Sequence, residues 1–582
     1  MSMNRVRQRV TNVVTLSYRL PRTGRLAIGS WRRQYASGNG RAPESSAPSS
    51  NWLRTSLGLG GTAAAAFLVY TFATTRGDQL ETAIEAKINS ATPKIAGDLD
   101  SQYVQEKKSL KSPGVYLWGT NAYRVVDPDS KETVIKTPRR LSYFEGQVLR
   151  DLKLAEKSGA AITENGDLVQ WGKGYSETDF KPTKTLTGKD LKSLCISSDR
   201  ILALSSNGSV YSLPIAKSDQ ESGRKPKEGS WFSFSSGSAG VSYRLLEPAL
   251  RLGEKVTAIS GGLQHALLLT SSGRVFSVAS STESYPSFGQ LGVPGLTWST
   301  RPQGAVDTCH EVKALGNSKV TEIAAGDYHS LALTKDGNVY AFGDNSFGQL
   351  GSEFDPALPF NDTPTLVPLK LFYPGNIWLP KVTAIAAGGA NSFFTVDAQR
   401  ILGPGEDRST VRDLGRITAD TWTCGRGIWG ALGNGKWTHL QDIPTKVKAL
   451  SGLFEYDERT KTLSPIRLRS ISVGTTHASA IMDNKAHVDT SATTSLEKSS
   501  DWGHDVLFWG GNEHFQLGTG KRSNLSKPAH ISAPPDSEPK SAKQEARLQI
   551  MPRHKAKVGT RTVSMEQRIE CGRHISAIYS AV

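Results

Sequence analysis

Two glycine-rich stretches have spacings that could bind phosphate. Gly425-Arg-Gly427-Ile-Trp-Gly430 matches the G-x-G-x-x-G spacing of dinucleotide-binding turns. Residues 430–436 begin like a P-loop, but Trp437 stands where a hydroxyl ligand of Mg²⁺ is required. No βαβ pattern surrounds either stretch, and the first aligns with turn glycines of the repeat described below. The sequence therefore predicts turns here, with no phosphate or cofactor bound.

Histidine and aromatic side chains recur with the same repeat. The histidines fall at one place in successive copies, so we expect them to be spread around the fold and not to meet at one metal ion or acid–base site. We expect each to hydrogen-bond to the backbone. The large aromatic residues are expected to pack between strands. The histidines are His265, His329, His477 and His574, and the aromatic residues are Trp118, Trp171, Phe342 and Trp509.

The cysteines do not indicate redox or metal chemistry. Cys195, Cys309, Cys424 and Cys571 lie far apart in the sequence without CxxC spacing, which argues against a disulfide framework and a zinc site. No nucleophile motif and no paired carboxylates on recognisable elements are found. The sequence therefore predicts no catalytic, cofactor-binding or metal-ligating residues, no small-molecule substrate, and a protein that is not an enzyme.

The body of the chain repeats a pattern of short strands and tight turns. In its clearest copy, residues 320–351, the pair Asp336-Gly337 separates two alternating apolar runs, which indicates a hairpin because its turn needs positive φ. A first half-pattern recurs at 155–163, 197–205, 259–270, 323–334, 385–395, 471–481 and 569–578. A second half-pattern recurs at 114–119, 166–172, 208–213, 273–278, 337–343, 420–425 and 505–510.

The two sets of half-patterns are complementary at their ends. The chain opens with a second half at 114–119 that has no first half before it, and it closes with a first half at 569–578. Joining these two halves completes a seventh blade and removes free sheet edges between the ends. The sequence therefore predicts an all-β, seven-bladed β-propeller over residues 114–580, with N- and C-terminal strands closing one blade.

The N-terminal segment has the composition of an organelle address. Residues 1–35 carry eight arginines and no acidic residue, which accounts for half of the formal net charge of +16. This composition is typical of a mitochondrial transit peptide, and we expect cleavage after Tyr35. The alternative to a transit peptide is a basic tail that binds nucleic acid. Residues 36–54 are predicted to be a spacer.

An uncharged run follows the spacer. Residues 55–75 number 21, enough to span the ~30 Å apolar core of a bilayer at ~1.5 Å per residue. The sequence predicts a transmembrane helix here, with a buried core helix or a part of the leader as the alternatives. Residues 76–113 are predicted to be an amphipathic segment, with Leu80, Ile84 and Ile88 on one face, and a linker. The side of the membrane on which the propeller lies is left open.

The repeat, as seen in residues 320–351 and again in residues 509–518, resembles that of the regulator of chromosome condensation family. The resemblance covers about 114–580 and is weakest at 150–213. It implies a propeller that binds proteins, and the founding member is an exchange factor for a nuclear GTPase. The predicted transit peptide, transmembrane helix and propeller together resemble those of a fungal inner-membrane member of the family. This resemblance implies a role in the assembly of respiratory complex III. The similarity to an animal mitochondrial member implies a link to the mitochondrial ribosome and to a dynamin-like GTPase.

Four segments depart from the repeat, at 214–250, 397–419, 483–504 and 519–568. Residues 519–568 contain eleven basic and four acidic residues, so a cardiolipin-rich surface, RNA or an acidic protein could bind there. The alternative is a solvated, disordered insertion. The favoured function is a non-enzymatic scaffold, tethered by a single span to the mitochondrial inner membrane, whose partners are complex III subunits or assembly factors. The alternatives are an exchange factor for a mitochondrial GTPase and a ribosome- or RNA-associated factor that uses 519–568.

Overall fold

Short antiparallel strands joined by tight turns make up the body of the protein. The computed structural model describes residues 113–228, 237–238, 240–373, 375–457, 461–484, 486–487, 501–532, 547–558 and 560–582. The predicted transit peptide, spacer and transmembrane run all lie outside these residues. Among the described residues, no helix has the length and apolar character needed to cross a membrane. The mainly-β class of the fold is confirmed.

The described strands can be divided into seven four-stranded antiparallel units, which we number along the chain. One parallel pairing, of Leu149 with Ala581, also joins units 7 and 1 into a single sheet. The first two described strands, β1 (Val115–Thr120) and β2 (Val134–Arg140), belong to the last unit, unit 7. Unit 1 contains β3 (Leu149–Leu154), β4 (Gly159–Thr163), β5 (Leu168–Trp171) and β6 (Thr183–Lys184). Unit 2 contains β7 (Leu191–Ile196), β8 (Arg200–Ser205), β9 (Val210–Pro214) and, after the short strands β10 (Lys227–Glu228) and β11 (Gly237–Ser238), β12 (Arg244–Leu246).

Units 3 to 5 follow the same order. Unit 3 contains β13 (Val256–Gly261), β14 (His265–Thr270), β15 (Val275–Ala279) and β16 (His310–Glu311). Unit 4 contains β17 (Val320–Ala325), β18 (His329–Thr334), β19 (Val339–Asp344) and β20 (Phe360–Leu366). Unit 5 contains β21 (Trp378–Gly388), β22 (Asn391–Arg400), β23 (Ile417–Gly425) and β24 (Gln441–Lys446), and it is followed by the hairpin β25 (Phe454–Asp457) and β26 (Thr462–Pro465).

Units 6 and 7 end the chain. Unit 6 contains β27 (Leu468–Val473), β28 (His477–Met482), β31 (His504–Gly510) and β32 (Leu525–Ala529), with β29 (Ala486–His487) and β30 (Asp501–Trp502) between its second and third strands. The strands β33 (Gln549–Ile550) and β34 (His554–Val558) precede β35 (Arg561–Cys571) and β36 (Ile575–Ala581), the first and second strands of unit 7. Four short 3₁₀ turns, at Ser142–Phe144, Lys313–Leu315, Leu369–Phe372 and Lys448–Leu450, and the helix α1 (Lys217–Ser222) lie in described connections.

The chain ends meet inside unit 7. Strand β1 pairs with β36 in antiparallel register from Val115 opposite Tyr579 to Gly119 opposite Ile575. Pairing of the N- and C-terminal strands is therefore observed where the complementary half-patterns place it.

The apolar core lies between neighbouring units. Seven clusters of buried side chains each join one unit to the next. Trp118 of unit 7 packs with Phe508 of unit 6, while Ile575 of unit 7 packs in another cluster with Leu152 of unit 1. Unit 7 therefore has an apolar interface on both sides, like every other unit.

The hairpin turn after Asp336 has the predicted backbone. Gly337 has φ +83°, and its N–H donates to the carbonyl of Thr334 over 2.9 Å. A Cβ on Gly337 would also approach Lys381 of the next unit, so glycine serves both turn and packing.

Strand direction gives the units two different faces. In an antiparallel unit, the connections between strands one and two and between three and four lie at one end, which we call the loop face. The remaining connections lie at the other end, the terminal face. Pro113 precedes the third strand of unit 7 and Val582 follows its second strand, so both chain ends of the described body lie on the terminal face.

The segments that depart from the repeat contain regular structure. Within 214–250 lie α1 and β12, which is the fourth strand of unit 2. Within 397–419, β22 and β23 stay paired beyond the part of β23 that contacts β24, and Gln399 lies opposite Ile417. Within 519–568 lie β32, β33, β34 and the start of β35. Part of 483–504 is outside the described residues.

Candidate partner-binding face

The first strands of all seven units surround one cavity of about 1180 Å³. Its wall is charged where units 7 and 1 meet, at Lys153, Asp151 and Glu570. On units 2 and 5 the wall consists of small side chains such as Cys195 and Ala386. The cavity therefore has one polar side and one apolar side.

The charges of the polar wall are satisfied within the protein. The Lys153 ammonium lies 2.9 Å from the Glu570 carboxylate, and Asp151 accepts a 2.8 Å hydrogen bond from the N–H of Leu194. Burial opposes the charge on Lys153, but the carboxylates of Glu570 and Asp151 outweigh it and raise its pKa. These groups tie the first strands of units 7, 1 and 2 together.

Three of the four repeated histidines link adjacent units. His265, His329 and His477 are buried, and the Nε2 atom of each lies 2.7–2.8 Å from a serine hydroxyl of the next unit. The serines are Ser330, Ser392 and Ser576. The expectation of a direct bond to the backbone was wrong, because the serine stands between the histidine and the carbonyl.

The hydrogen-bond roles in these links follow from the serines. Ser330 donates to the carbonyl of Gln290 over 2.9 Å, so its oxygen accepts from His265 Nε2–H. The Nδ1 atom of His265 is buried and has no hydrogen-bond partner among the described residues. Burial lowers the pKa of His265, as it does for His329 and His477, to about 3. The three rings are therefore neutral near pH 7.

His574 does not belong with the other three, and this part of the prediction was wrong. The residue at the equivalent position, at the start of β36, is Ile575. His574 precedes the strand with φ +61°, and its ring lies 4.7 Å from that of His514 on the loop face. The spacing is G-x-H here and G-x-x-H in the other copies, which shifts the imidazole out of the unit interface.

The recurring large aromatic residues lie in the core. Trp118, Trp171, Trp509 and Phe342 are fully buried. The indole N–H groups of the three tryptophans donate 2.8 Å hydrogen bonds to carbonyls of the preceding unit. Packing between units is therefore the observed role.

The glycine-rich stretch 425–430 is a turn between β23 and β24. Gly425 and Gly430 have φ of +117° and +77°, and the N–H of Gly430 donates to the carbonyl of Gly427 over 2.9 Å. A strand follows, not the helix whose N-terminus would bind phosphate. The four cysteines are unpaired, and burial raises the pKa of the Cys195 thiol to about 12.

Aromatic side chains occupy an equivalent loop-face position in four successive units. These residues are Phe288, Phe347, Trp429 and His514, each followed by the residue that turns the loop. Phe288 is 39% exposed and lies 5.4 Å from the ring of Tyr328. We call Phe288, Tyr328, Phe347, Trp429, His514 and His574 the aromatic rim. The sequence pattern alone does not indicate this rim, because its residues come from loops that are distant in the sequence.

Arginine joins the rim at unit 5. The Arg426 guanidinium lies 4.7 Å from the ring centre of Phe347 and 4.6 Å from that of Trp429. Such contacts favour a fixed, partly desolvated cation. Aromatic residues and arginine are enriched at the energetic centres of protein interfaces.

Phe515 holds a backbone conformation that other copies give to glycine. Its φ is +62°, whereas Gly289, Gly348 and Gly430 at the same position have φ of +72° to +78°. A left-handed backbone costs a non-glycine residue roughly 1–2 kcal/mol. The Phe515 ring lies 5.5 Å from the Lys136 ammonium beside the rim.

The mouth of the cavity on the loop face carries opposite charges. Asp327 and Arg573 both line it, and Arg573 lies 3.9 Å from Glu156. Burial raises the pKa of Asp327 to about 6, although Arg573 opposes the rise. The loop face thus carries the aromatic rim and, at the mouth of the cavity, side chains of opposite charge.

Four of the eleven basic residues of 519–568 form ion pairs within the described residues. Arg553 and Arg568, with Arg469 of unit 6, all contact Glu566. Their hydrogen bonds outweigh burial and lower the pKa of Glu566 to about 2. Arg547 and Arg561 contact acids of units 6 and 1. This segment is therefore integrated into the fold by its charges.

Family models for the regulator of chromosome condensation (RCC1) repeat match residues 320–349 and 336–395. These residues form unit 4 and the start of unit 5. Residues 320–395 therefore carry RCC1 repeats. The copy that shows the repeat most clearly in the sequence is the one that the models match.

Relatives and solved structures extend the similarity along the chain. Protein FMP25, mitochondrial, of Saccharomyces cerevisiae is 28% identical over 452 residues, covering 72% of this chain and 66% of that protein, just under two thirds. The bovine secretion-regulating guanine nucleotide exchange factor is 24% identical, covering 72% of this chain and 78% of that protein. Yeast RCC1 (Prp20), in a crystal structure with Kap60, superposes with a TM-score of 0.51 at 18% identity, covering 82% of this chain and 92% of that chain, which shows a shared fold.

Proposed function

We propose that the protein is a mitochondrial scaffold whose seven units form one closed seven-bladed propeller. In this proposal residues 1–35 direct import, residues 55–75 anchor the chain in the inner membrane, and the loop face binds subunits or assembly factors of respiratory complex III. The observation that carries the binding role is the aromatic rim with Arg426 between Phe347 and Trp429.

Several observations support the mitochondrial and complex III parts of the proposal. The first acidic residue is Glu44, after nine arginines, a composition suited to import. A relative over 72% of the chain bears a mitochondrial name. The assignment to complex III rests on the resemblance of leader, span and propeller to a fungal inner-membrane member of the family.

A pair of substitutions on the loop face tests the binding role. Arg426→Ala with Trp429→Ala removes the cation and one ring of the rim, and the affinity of the tagged full-length chain for complex III subunits should fall about tenfold or more. Leu463→Ala, an exposed change on the terminal face, is the matched control and should leave capture from mitochondria unchanged. Equal capture by both variants would show that the rim does not bind these partners.

A guanine-nucleotide exchange factor is the second candidate. It is favoured by the similarity to a relative that bears this name. Purified chain would then accelerate release of a fluorescent GDP analogue from a mitochondrial dynamin-like GTPase, and the Arg426→Ala variant would be slower. No acceleration over the intrinsic rate would remove this candidate.

The ribosome or RNA alternative is less favoured than the other two. It relied on the basic charge of residues 519–568, and in the described part of that segment Arg547, Arg553, Arg561 and Arg568 contact acidic side chains. Replacing the exposed lysines Lys521, Lys527 and Lys555 by alanine removes basic charge from this segment and should leave sedimentation with mitochondrial ribosomes unchanged. Loss of co-sedimentation would favour the ribosome instead.

A further inference from the structure

Basic side chains gather on the loop face of units 5 and 6. Two connections carry them, residues 426–440 between β23 and β24 and residues 511–524 between β31 and β32, and we call these together the basic sector. The charged residues of the basic sector are four basic ones and one acidic one, namely Arg426, Lys436, Lys521, Arg522 and Glu513. An excess of positive charge on a binding face favours a partner surface of the opposite charge.

The four cations of the basic sector have no carboxylate partner within the part of the chain that the structure describes. Lys436 and Lys521 are exposed, and the Nε–H of Arg522 donates to the backbone carbonyl of Glu513 over 2.6 Å. By contrast, the four arginines between 547 and 568 all contact acidic side chains. The positive charge of the basic sector is therefore available to a partner.

Arg426 is held in place while its charge stays accessible. Its guanidinium lies against the rings of Phe347 and Trp429, and its Nε atom is buried without a partner among the described residues. The two Nη groups have no partner among those residues either, but they are not buried. An arginine that is fixed by packing and has a free pair of N–H donors binds a carboxylate through two parallel hydrogen bonds at a low cost in side-chain entropy.

The two connections of the basic sector meet at the junction of units 5 and 6. The N–H of Gly435 donates to the carbonyl of Ser526, at the start of β32, and the indole N–H of Trp509 donates to the carbonyl of Ala431, both over 2.8 Å. Trp437 follows Lys436 in the chain and is 54% exposed. The cations therefore lie on one continuous surface that also presents a tryptophan, a residue enriched at the centres of protein interfaces.

Acidic side chains limit the extent of this positive surface. Glu353 and Asp355 are exposed on the loop-face connection of unit 4, which also carries Phe347, and Asp327 lines the mouth of the cavity. A nucleic acid is charged at every phosphate, so a strand longer than the basic sector would meet these carboxylates. A short acidic stretch of a protein meets the cations alone. The charge pattern therefore favours an acidic protein segment over RNA.

We infer that the basic sector binds an acidic segment of the protein partner. One carboxylate of that segment pairs with Arg426, and neighbouring carboxylates face Lys436 and Lys521. The inference rests on the proposed binding role of the loop face and deepens it, because it gives the chemistry of the partner surface: a short stretch rich in aspartate and glutamate.

Charge reversal at two exposed lysines tests the inference. In the tagged full-length chain, Lys436→Glu with Lys521→Glu should lower the capture of complex III subunits from solubilised mitochondria about tenfold or more, because like charges would then face each other. Lys436→Arg with Lys521→Arg preserves the charge and should retain capture. Lys173→Glu with Lys335→Glu makes the same change in net charge at exposed lysines of unit 1 and of the terminal face, and it should also retain capture.

Zero-length cross-linking identifies the groups that contact these lysines. A carbodiimide couples a lysine amine to a carboxylate that touches it, so the natural complex should yield Lys436 or Lys521 linked to aspartate or glutamate of a complex III subunit. The Lys436→Arg, Lys521→Arg variant should be captured without these links, because arginine is not coupled. Links to the captured subunit from Lys173 and from neither sector lysine would refute the inference.

The Arg426→Ala, Trp429→Ala variant separates failure of the inference from failure of the proposed function. If this variant loses capture while Lys436→Glu with Lys521→Glu retains it, the loop face binds through its aromatic side chains and the acidic segment is refuted. If both variants retain capture, the proposed binding role of the loop face itself fails. Loss of capture after nuclease treatment would identify a nucleic acid as the bound molecule and would also refute the acidic segment.

Discussion

Acidification should weaken the links between units through their buried histidines. In the folded chain the pKa of His329 is lowered to about 3, whereas an unfolded histidine titrates near 6.5. Below pH 6.5 the unfolded state therefore binds a proton that the folded state does not, and stability falls with pH until about pH 3. At pH 5 the solution lies ~1.5 pH units below the pKa of the unfolded histidine. His329 therefore lowers the free energy of unfolding by about 2 kcal/mol at pH 5 relative to pH 7.

His329→Asn isolates this contribution, because Asn391 occupies the equivalent position in unit 5. At pH 7 the variant should be about 1–3 kcal/mol less stable, since the 2.8 Å contact with Ser392 is altered. Between pH 7 and pH 5 it should lose about 2 kcal/mol less than the natural chain, so the two proteins converge. Urea unfolding followed by tryptophan fluorescence at both pH values measures this. His439→Asn, at an exposed residue, should behave like the natural chain. Parallel pH curves for His329→Asn and the natural chain would refute the reasoning.

Other substitutions test the remaining structural claims by thermal or urea unfolding. Trp118→Ala should lower the free energy of unfolding by about 3–5 kcal/mol, because Trp118 is fully buried where units 6 and 7 join. The control Trp298→Ala, at a 60% exposed residue, should be nearly neutral. Equal effects of the two substitutions would contradict closure through unit 7. Lys153→Met should lower the free energy of unfolding by about 2 kcal/mol. This loss is smaller than for a fully buried ion pair, because the Lys153 side chain is 34% exposed. Adding Glu570→Gln should restore part of the lost stability, and no recovery would argue against the ion pair. Phe515→Gly should be about 1 kcal/mol more stable than Phe515→Ala, because only glycine adopts φ +62° without strain; the reverse order would contradict the strain.

The repeat was readable from the sequence because its glycines and alternating apolar residues are local. Asp336-Gly337 indicated the hairpin, and the incomplete patterns at the two ends indicated the pairing that joins Val115 to Tyr579. Burial of Trp118 and the turn at Gly425 also followed from their places in the repeat.

What the sequence missed depends on contacts between distant residues. The partner of His329 is Ser392, a residue of the next unit, and a local spacing rule cannot pair them. The grouping of His574 with the others failed because the rule ignored which residue starts the strand. The aromatic rim was missed because Phe288 and Phe347 become neighbours of Tyr328 and Arg426 only after the loops fold.

Native electrophoresis of respiratory complexes from mitochondria that lack this protein tests the central claim most directly. The scaffold account predicts selective loss of mature complex III with the other complexes present, restored by the natural chain and not by the Arg426→Ala, Trp429→Ala variant. Joint loss of every complex with mitochondrially encoded subunits would place the protein in translation or upstream with a GTPase and would contradict the scaffold account.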